Sequence, residues 1–221
     1  MSQLAAVYLK LDLEFPFFDQ EPSRAYLQKL VTRFASEIYR QNIEVDVRFR
    51  QGSLEVLIII VGSIYLAIGN YGSFRSGLNQ IIEDAKALKN LLVSSLRKDG
   101  VAEAAILQQK RLTATPDRVR RLLRRIDRFE RQLPELGEDE ARAKLERLLK
   151  AIKHLTAEME FPEDVELLMN NLDERFRPPL GEIQMPYRKS LASEERPTFL
   201  EPSRDRFPYS SHTKLPPPDG R

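Results

Sequence analysis

The longest apolar segment of this chain is residues 54–77, which read LEVLIIIVGSIYLAIGNYGSFRSG. No charged residue lies between Glu55 and Arg75, although 31% of the 221 residues of this chain are charged. A helix that spans a bilayer needs roughly 20 predominantly apolar residues, whereas an apolar run of about 10–14 is more often part of a protein core. The 19 residues of the charge-free window, 56–74, fall between these two cases.

Two features of this stretch favour a helix in a membrane. Aromatic side chains lie toward one end, where amphipathic rings prefer the headgroup level. Small residues recur at a spacing of four, which lets helix backbones approach closely inside lipid. The sequence therefore predicts a single-pass transmembrane segment that also holds copies of the chain together. The residues predicted for this self-association are Gly62, Ser63, Gly69, Ser73 and Gly77.

The alternative is that residues 54–61 form a strand that is buried in a sheet. A run rich in Ile and Val, flanked by turn residues, is typical of a strand with both faces covered. Residues 51–53, Gln-Gly-Ser, can turn the chain into such a strand. Both interpretations stay open at this level, together with a short strand that passes into a helix near Gly62.

The segment before this stretch, residues 1–53, is predicted to be a small α/β head of the form βαβ, or βαββ with the third strand. Apolar and polar residues alternate over 7–15 and again over 43–50, as in half-buried strands. A helical apolar stripe lies between them over 22–39. Two strands alone are too few for a stable sheet, so the head needs a third strand or a partner chain.

Residues 78–176 are predicted to form an amphipathic helical region of an α+β protein. Apolar residues with helical spacing run from Phe74 to about Lys98, and a second short helix is predicted over 102–112. Further helices are predicted over 115–133, 138–160 and 162–176, with short links that favour a small antiparallel bundle. Residues 177–221 contain nine of the 14 prolines and few aliphatic side chains, so this tail is predicted to be disordered.

The helix over 117–133 carries seven arginines against three acids, which gives it a local charge of +4. Three interpretations are open. Its arginines can pair with acids of neighbouring helices, such as Glu138, Asp139, Glu163 and Glu166. The helix can instead lie at a lipid surface, with long basic side chains at the borders of its apolar stripe, or it can bind nucleic acid. The residues predicted to bind membrane or anions are Arg118, Arg121, Arg124, Arg125 and Arg128.

The chain shows no recognisable catalytic chemistry. Cysteine is absent, and the two histidines, His154 and His212, have no neighbours that suggest a general base or a metal site. No glycine-rich phosphate loop follows a strand. We therefore predict a non-enzymatic protein with no catalytic, cofactor-binding or metal-binding residues.

The predicted function is that of a membrane-associated binding or assembly protein. It would form homo-oligomers through the apolar stretch, contact membrane lipid, and engage a protein partner with its helices or tail. One alternative is a soluble, cytoplasmic oligomeric adaptor with a completed βαββ sheet, because no secretory signal opens the sequence. The other is a nucleic-acid-binding accessory protein, although the net charge of only +2 gives this alternative little support.

Overall fold

A computed structural model describes residues 2–12, 20–50, 55–69, 73–183 and 185–186. It shows an α+β protein with a four-stranded antiparallel sheet and six α-helices in these residues. The strands are β1 (Gln3–Leu11), β2 (Glu44–Phe49), β3 (Glu55–Val61) and β4 (Ile106–Leu112). The helices are α1 (Gln20–Tyr39), α2 (Ile64–Ile68), α3 (Phe74–Lys98), α4 (Thr115–Gln132), α5 (Glu138–Ala157) and α6 (Pro162–Asn170).

The sheet has the strand order β2-β3-β1-β4, and every neighbouring pair is antiparallel. Strands β1 and β2 thus run in the same direction but are separated by β3. With α1 between β1 and β2 and α3 between β3 and β4, the connectivity is the split β-α-β arrangement of ferredoxin-like sheets. The βαβ unit predicted for the head is present, and the third strand, β3, lies between its two strands.

In its described residues, the apolar stretch is strand β3, then the short helix α2 and the start of α3. Of the helices in the described part of the chain, none is both long enough and apolar enough to cross a bilayer. The transmembrane segment predicted from the sequence is therefore not supported, and the buried-strand alternative is confirmed over Glu55–Val61. The physical reason is that both faces of β3 are covered, which makes the strand apolar throughout.

The core lies mainly between the sheet and the helices. Val56, Ile58 and Ile60 of β3 belong to one buried cluster with residues of β1, β2, α1 and α3. On the opposite face of β3, Ile59 and Val61 pack against Phe161, which is fully buried just before α6. The residue that precedes α6 therefore covers part of this second face.

At two glycines of the apolar stretch, a neighbouring side chain lies too close to leave room for a Cβ atom. A Cβ at Gly62 would lie 2.6 Å from Cδ1 of Leu4, and a Cβ at Gly77 would lie 2.8 Å from Cγ1 of Ile68. Gly62 thus allows the end of β3 to pass the start of β1. Gly77 allows the first turn of α3 to pack against α2.

Residues 102–112 differ from the prediction. The expected short helix is a 3-10 turn at Glu103–Ala105 followed by strand β4, which pairs with β1 at an edge of the sheet. The residues of β4 are either half-buried or exposed, and Leu107 is 56% exposed. Because β4 is held mainly by backbone pairing, its side chains carry little of the period-two signal from which strands are predicted.

The core extends to Ile183, which is 8% exposed and lies beyond the predicted start of the tail at residue 177. The predictions for the 51–53 turn, for His212 and for the tail after residue 186 fall outside the described residues. So do Leu13 and Phe15 of the first predicted strand.

Candidate functional site

Helix α4 is fixed at its N-terminus by contacts to the sheet. The Oγ1 atom of Thr115 accepts a hydrogen bond from the backbone N–H of Gln3 at 3.0 Å. The carboxylate of Asp117 accepts one from the N–H of Ala114 at 3.1 Å, which satisfies a donor at the helix start. Pro116 occupies the first turn, where its missing N–H is no loss.

The apolar stripe of α4 is buried in the protein. Its residues recur at intervals of three and four and lie in the core shared with α3 and α5. A helix that lies in a lipid interface needs an apolar face that is available to lipid, whereas the apolar face of α4 packs against the rest of the protein. The buried stripe consists of Val119, Leu122, Leu123, Ile126 and Phe129.

The opposite side of α4 carries four arginines with helical spacing, Arg121, Arg124, Arg125 and Arg128, which we call the arginine face. All four are exposed, and none forms an ion pair with another described residue. Residues at positions i, i+3, i+4 and i+7 line one side of a helix. The guanidinium groups of the arginine face therefore project together into solvent.

The acids of α4 do not neutralise the arginine face, because arginines from other elements bind them. Arg111 of β4 contacts both carboxylate oxygens of Asp117, at 2.6 and 2.9 Å. Arg75 of α3 contacts both oxygens of Asp127, at 2.8 and 2.7 Å. These are bidentate pairs, the strongest geometry available to arginine and a carboxylate.

The third acid of the helix, Glu130, is also bound by an arginine from outside α4, Arg175, through a single contact between one nitrogen and one oxygen. Arg118 is the one member of the predicted anion-binding set that is paired, and its partner is Glu158. None of the acids proposed from the sequence as partners forms these pairs. The surface around the arginine face thus keeps an excess of positive charge.

The two bidentate pairs change the pKa values of their carboxyl groups. Burial by itself raises the pKa of Asp117, but the hydrogen bonds from Arg111 and the Ala114 N–H outweigh it, so the pKa lies below its ordinary value. The hydrogen bond from Arg75 lowers the pKa of Asp127. Both groups are therefore charged at neutral pH and stay bound to their arginines.

The residues predicted for self-association are placed in contacts within one chain. Gly62 ends β3, Ser63 caps α2, Gly69 ends α2, and Ser73 caps α3 one turn before Gly77. Ser63 Oγ accepts from the N–H of Leu66, and Ser73 Oγ accepts from the N–H of Ser76. These residues lie at the end of β3, at the two ends of α2 and at the start of α3. They therefore do not form one stripe on a single helix.

A buried carboxylate that the sequence analysis missed, Asp164 of α6, holds the apolar stretch in place. Its Oδ1 atom accepts hydrogen bonds from Ser63 Oγ and the N–H of Tyr65, both at 2.9 Å. Burial raises the pKa of Asp164, and these hydrogen bonds oppose that change. An acid three residues into a helix resembles any N-terminal acid, so no sequence signal distinguishes it.

The described residues contain no group of three or more His, Cys, Asp or Glu side chains placed to hold a metal ion. His154 lies exposed on α5. No family model matches the chain, and no curated protein or solved structure is significantly similar to it. The arginine face of α4 is the candidate site on which we base a function.

Proposed function

We propose that this chain is a non-enzymatic binding protein whose arginine face binds the phosphate backbone of double-stranded nucleic acid. The observation that carries the proposal is the set of four exposed guanidinium groups without carboxylate partners among the described residues. Every basic residue of α4 is arginine. Arginine binds phosphate through a planar fork of donors, which a lysine ammonium cannot provide.

The burial of the apolar stripe favours a nucleic acid over a lipid surface. Proteins that lie on membranes gain much of their affinity from apolar side chains inserted between lipids. In α4 the apolar side chains are in the core, and none of the large exposed hydrophobic residues of the described chain lies on this helix. What α4 offers to a partner is charge and hydrogen-bond donors.

A duplex fits the arginine face better than a single strand does. Proteins that bind single strands combine a basic groove with aromatic side chains on which bases stack. The one aromatic residue of α4, Phe129, is buried. The arginine face extends over about 10 Å along the helix axis, from Arg121 to Arg128. Contacts of this kind position a protein on a duplex without reading its sequence.

The test is fluorescence anisotropy of a labelled duplex of mixed sequence, titrated with the full chain at several salt concentrations. If four phosphates are neutralised, the logarithm of the binding constant should fall with the logarithm of salt with a slope of about −3.6. A duplex of different sequence should bind with the same affinity. No binding at low salt, or a slope near zero, would refute the proposal.

A matched pair of variants locates the binding site. R121E/R128E should weaken duplex binding by at least about tenfold and reduce the salt slope by about 2. K10E/K110E makes the same change in net charge at two exposed positions of β1 and β4 and should leave binding within about twofold. Equal losses in both variants would show that overall charge, rather than the arginine face, is responsible.

Vesicles provide the third arm. The full chain is mixed with vesicles of phosphatidylserine and phosphatidylcholine, and the bound fraction is measured by flotation. If the arginine face binds a duplex, R121E/R128E should lose duplex binding while the wild type shows at most weak, salt-sensitive vesicle binding. Strong vesicle binding that R121E/R128E abolishes, without duplex binding by the wild type, would assign the face to anionic lipid.

A further inference from the structure

Strand β2 forms one edge of the sheet and pairs with β3 alone among the described strands. The N–H of Arg50 donates to the carbonyl of Glu55 at 3.0 Å, so hydrogen-bonded pairs alternate from that point along the ladder. The backbone groups of Val45 and Val47 therefore point away from β3. In agreement, the carbonyl of Val45 points to α1 and accepts from Nε2 of Gln28 at 3.2 Å, a contact that a strand added at this edge would displace.

The charges along this edge follow a simple order. Glu44 and Asp46 come first, and Arg48 and Arg50 follow, with Val47 in the middle. Glu44, Asp46 and Arg48 face the side of the sheet opposite α1, since they alternate with the buried Val45 and Val47. The side chain of Arg48 is 56% exposed and that of Asp46 is 39% exposed, so both remain accessible while paired with each other.

From this order we propose that β2 pairs with β2 of a second copy of the chain, antiparallel and centred on Val47. In that register Asp46 lies opposite the partner's Arg48, and Glu44 lies opposite the partner's Arg50. The twofold axis repeats both pairs, so all four acids of the two strands face arginines. The result is a continuous eight-stranded sheet with an isologous interface.

The geometry of the pairing supports this register. Val47 directs its N–H and C=O outward, so the two copies of Val47 form a hydrogen-bonded pair at the axis. Residues 46 and 48 then occupy the non-hydrogen-bonded positions on either side, where side chains on opposite strands come closest. An open groove of about 620 Å³ runs beside this edge, lined by β2 together with Arg24 and Gln28 of α1.

The other edge of the sheet, strand β4, does not carry charges that complement a second copy of the same strand. The charged residues of β4 are Lys110 and Arg111, both basic, and Arg111 is engaged by Asp117. An antiparallel pair of β4 strands would gain no opposite-charge contacts from its own sequence. Exposed edges usually carry charges that prevent pairing, and the charges of β2 differ because they complement a second copy.

The test is sedimentation velocity of the full chain over a range of concentrations. The wild type should show a concentration-dependent dimer that weakens as salt is added. E44K/D46K makes the edge entirely basic, and R48E/R50E makes it entirely acidic. Each variant alone should dimerise at least about tenfold more weakly than the wild type, because like charges then oppose each other.

Mixing the two variants is the decisive measurement. An equimolar mixture of E44K/D46K and R48E/R50E should form a heterodimer at concentrations where each alone is monomeric, since opposite charges again face each other. K110E on the β4 edge is the control and should dimerise like the wild type. Circular dichroism of each variant confirms that it is folded.

The proposal would be overturned if the wild type remained monomeric at about 100 µM, near the upper concentration limit of sedimentation velocity. A dimer that survives in both charge variants would overturn it as well, because the interface would then lie elsewhere. The proposal would also be overturned if both charge variants were folded but their mixture formed no heterodimer. V47P gives a second approach: proline removes the central N–H and should abolish the dimer.

Discussion

The arginines that bind the acids of α4 differ from the four arginines of its arginine face. The first group comes from other elements, and the second belongs to α4 itself. Arg111 is largely buried, with 19% of its side chain exposed, and binds Asp117 through two hydrogen bonds. Arg75 binds Asp127 in the same geometry at the surface. Arg121 and Arg125 have the same side chain and bind no described residue.

Other parts of the chain supply the partners for the charged residues of this helix. Strand β4 and helix α3 bring arginines to the acids of α4, while none of the described elements brings an acid into an ion pair with the arginine face. Removing a paired arginine should therefore cost stability in proportion to burial. Removing an unpaired one should cost binding alone.

The largest effect is expected for Arg111→Met. The substitution leaves the carboxylate of Asp117 buried without its guanidinium partner, and breaking a buried pair is strongly destabilising. Since part of the pair reaches solvent, we expect a loss of about 2–4 kcal/mol in the free energy of unfolding. Urea unfolding followed by circular dichroism measures it.

The control for this prediction is the double variant R111M/D117N. Asparagine removes the buried charge but keeps an oxygen that can accept from the N–H of Ala114. The double variant should therefore be more stable than R111M. Equal or lower stability would mean that the unpaired charge is not the cause of the loss.

The acid stability of the fold should depend on Asp117. Because its pKa in the folded protein lies below the ordinary value of about 3.9, the group contributes stability above that pH. This contribution is lost as pH falls through the folded pKa. The stability of D117N should consequently fall less than that of the wild type between pH 5 and 2, measured by urea unfolding at each pH.

Asp164 provides the matching contrast, since its pKa is raised by burial. Its contribution is present below the ordinary pKa of about 3.9 and is lost as pH rises through the higher folded value. D164N should thus remove a pH dependence of the opposite sign. If both asparagine variants changed the pH dependence in the same direction, the assignment of one of these two groups would be wrong.

A smaller effect is expected for Arg75→Ala. The pair with Asp127 is bidentate, but the side chain of Arg75 is 59% exposed and that of Asp127 is 34% exposed. Surface pairs contribute roughly 0–1 kcal/mol, so the loss in free energy of unfolding should not exceed about 1 kcal/mol. Thermal and urea unfolding of R75A beside R111M would show the order. A larger loss in R75A would contradict the role assigned to burial.

The smallest effect on stability is expected for the arginine face. R121A/R125A removes two like charges at positions i and i+4, whose repulsion costs about 0.2–0.5 kcal/mol. Its unfolding free energy should therefore stay within about 0.5 kcal/mol of the wild type or rise slightly. Duplex binding, measured by anisotropy, should nevertheless fall. A stability loss above 1 kcal/mol, on the order of a buried contact, would indicate a structural role for these arginines.

Most elements could be predicted from periodic patterns in the sequence. The apolar stripes of α1 and of α3 to α6 identify helices, and the alternation around Val45 and Val47 identifies β2. Gly100, two residues after the end of α3, has a φ of 107°, a conformation that favours glycine at the end of a helix. These patterns are visible because each element buries one side against the core, and burial selects the residue type at each position.

Strand β4 and the pairing of the arginines could not be predicted in this way. The edge strand buries few side chains, so its sequence carries little periodic signal. Two of the three acids of α4 have partners far along the chain: Arg75 lies 52 residues from Asp127, and Arg175 lies 45 residues from Glu130. Nothing local in the sequence distinguishes a paired arginine from an unpaired one.

The Ile- and Val-rich run of β3 is recognisable from the sequence as a segment that leaves water, because a run without charge is too apolar to remain exposed. The division of α4 into one apolar side and one arginine side is equally a property of the sequence. What surrounds each of them follows from the tertiary structure. Strands β1 and β2, the helices and Phe161 enclose β3 where a bilayer was the alternative. Arginines from β4 and α3 bind the acids of α4 and leave its outer arginines unpaired, because partners are chosen by distance in space and not along the chain.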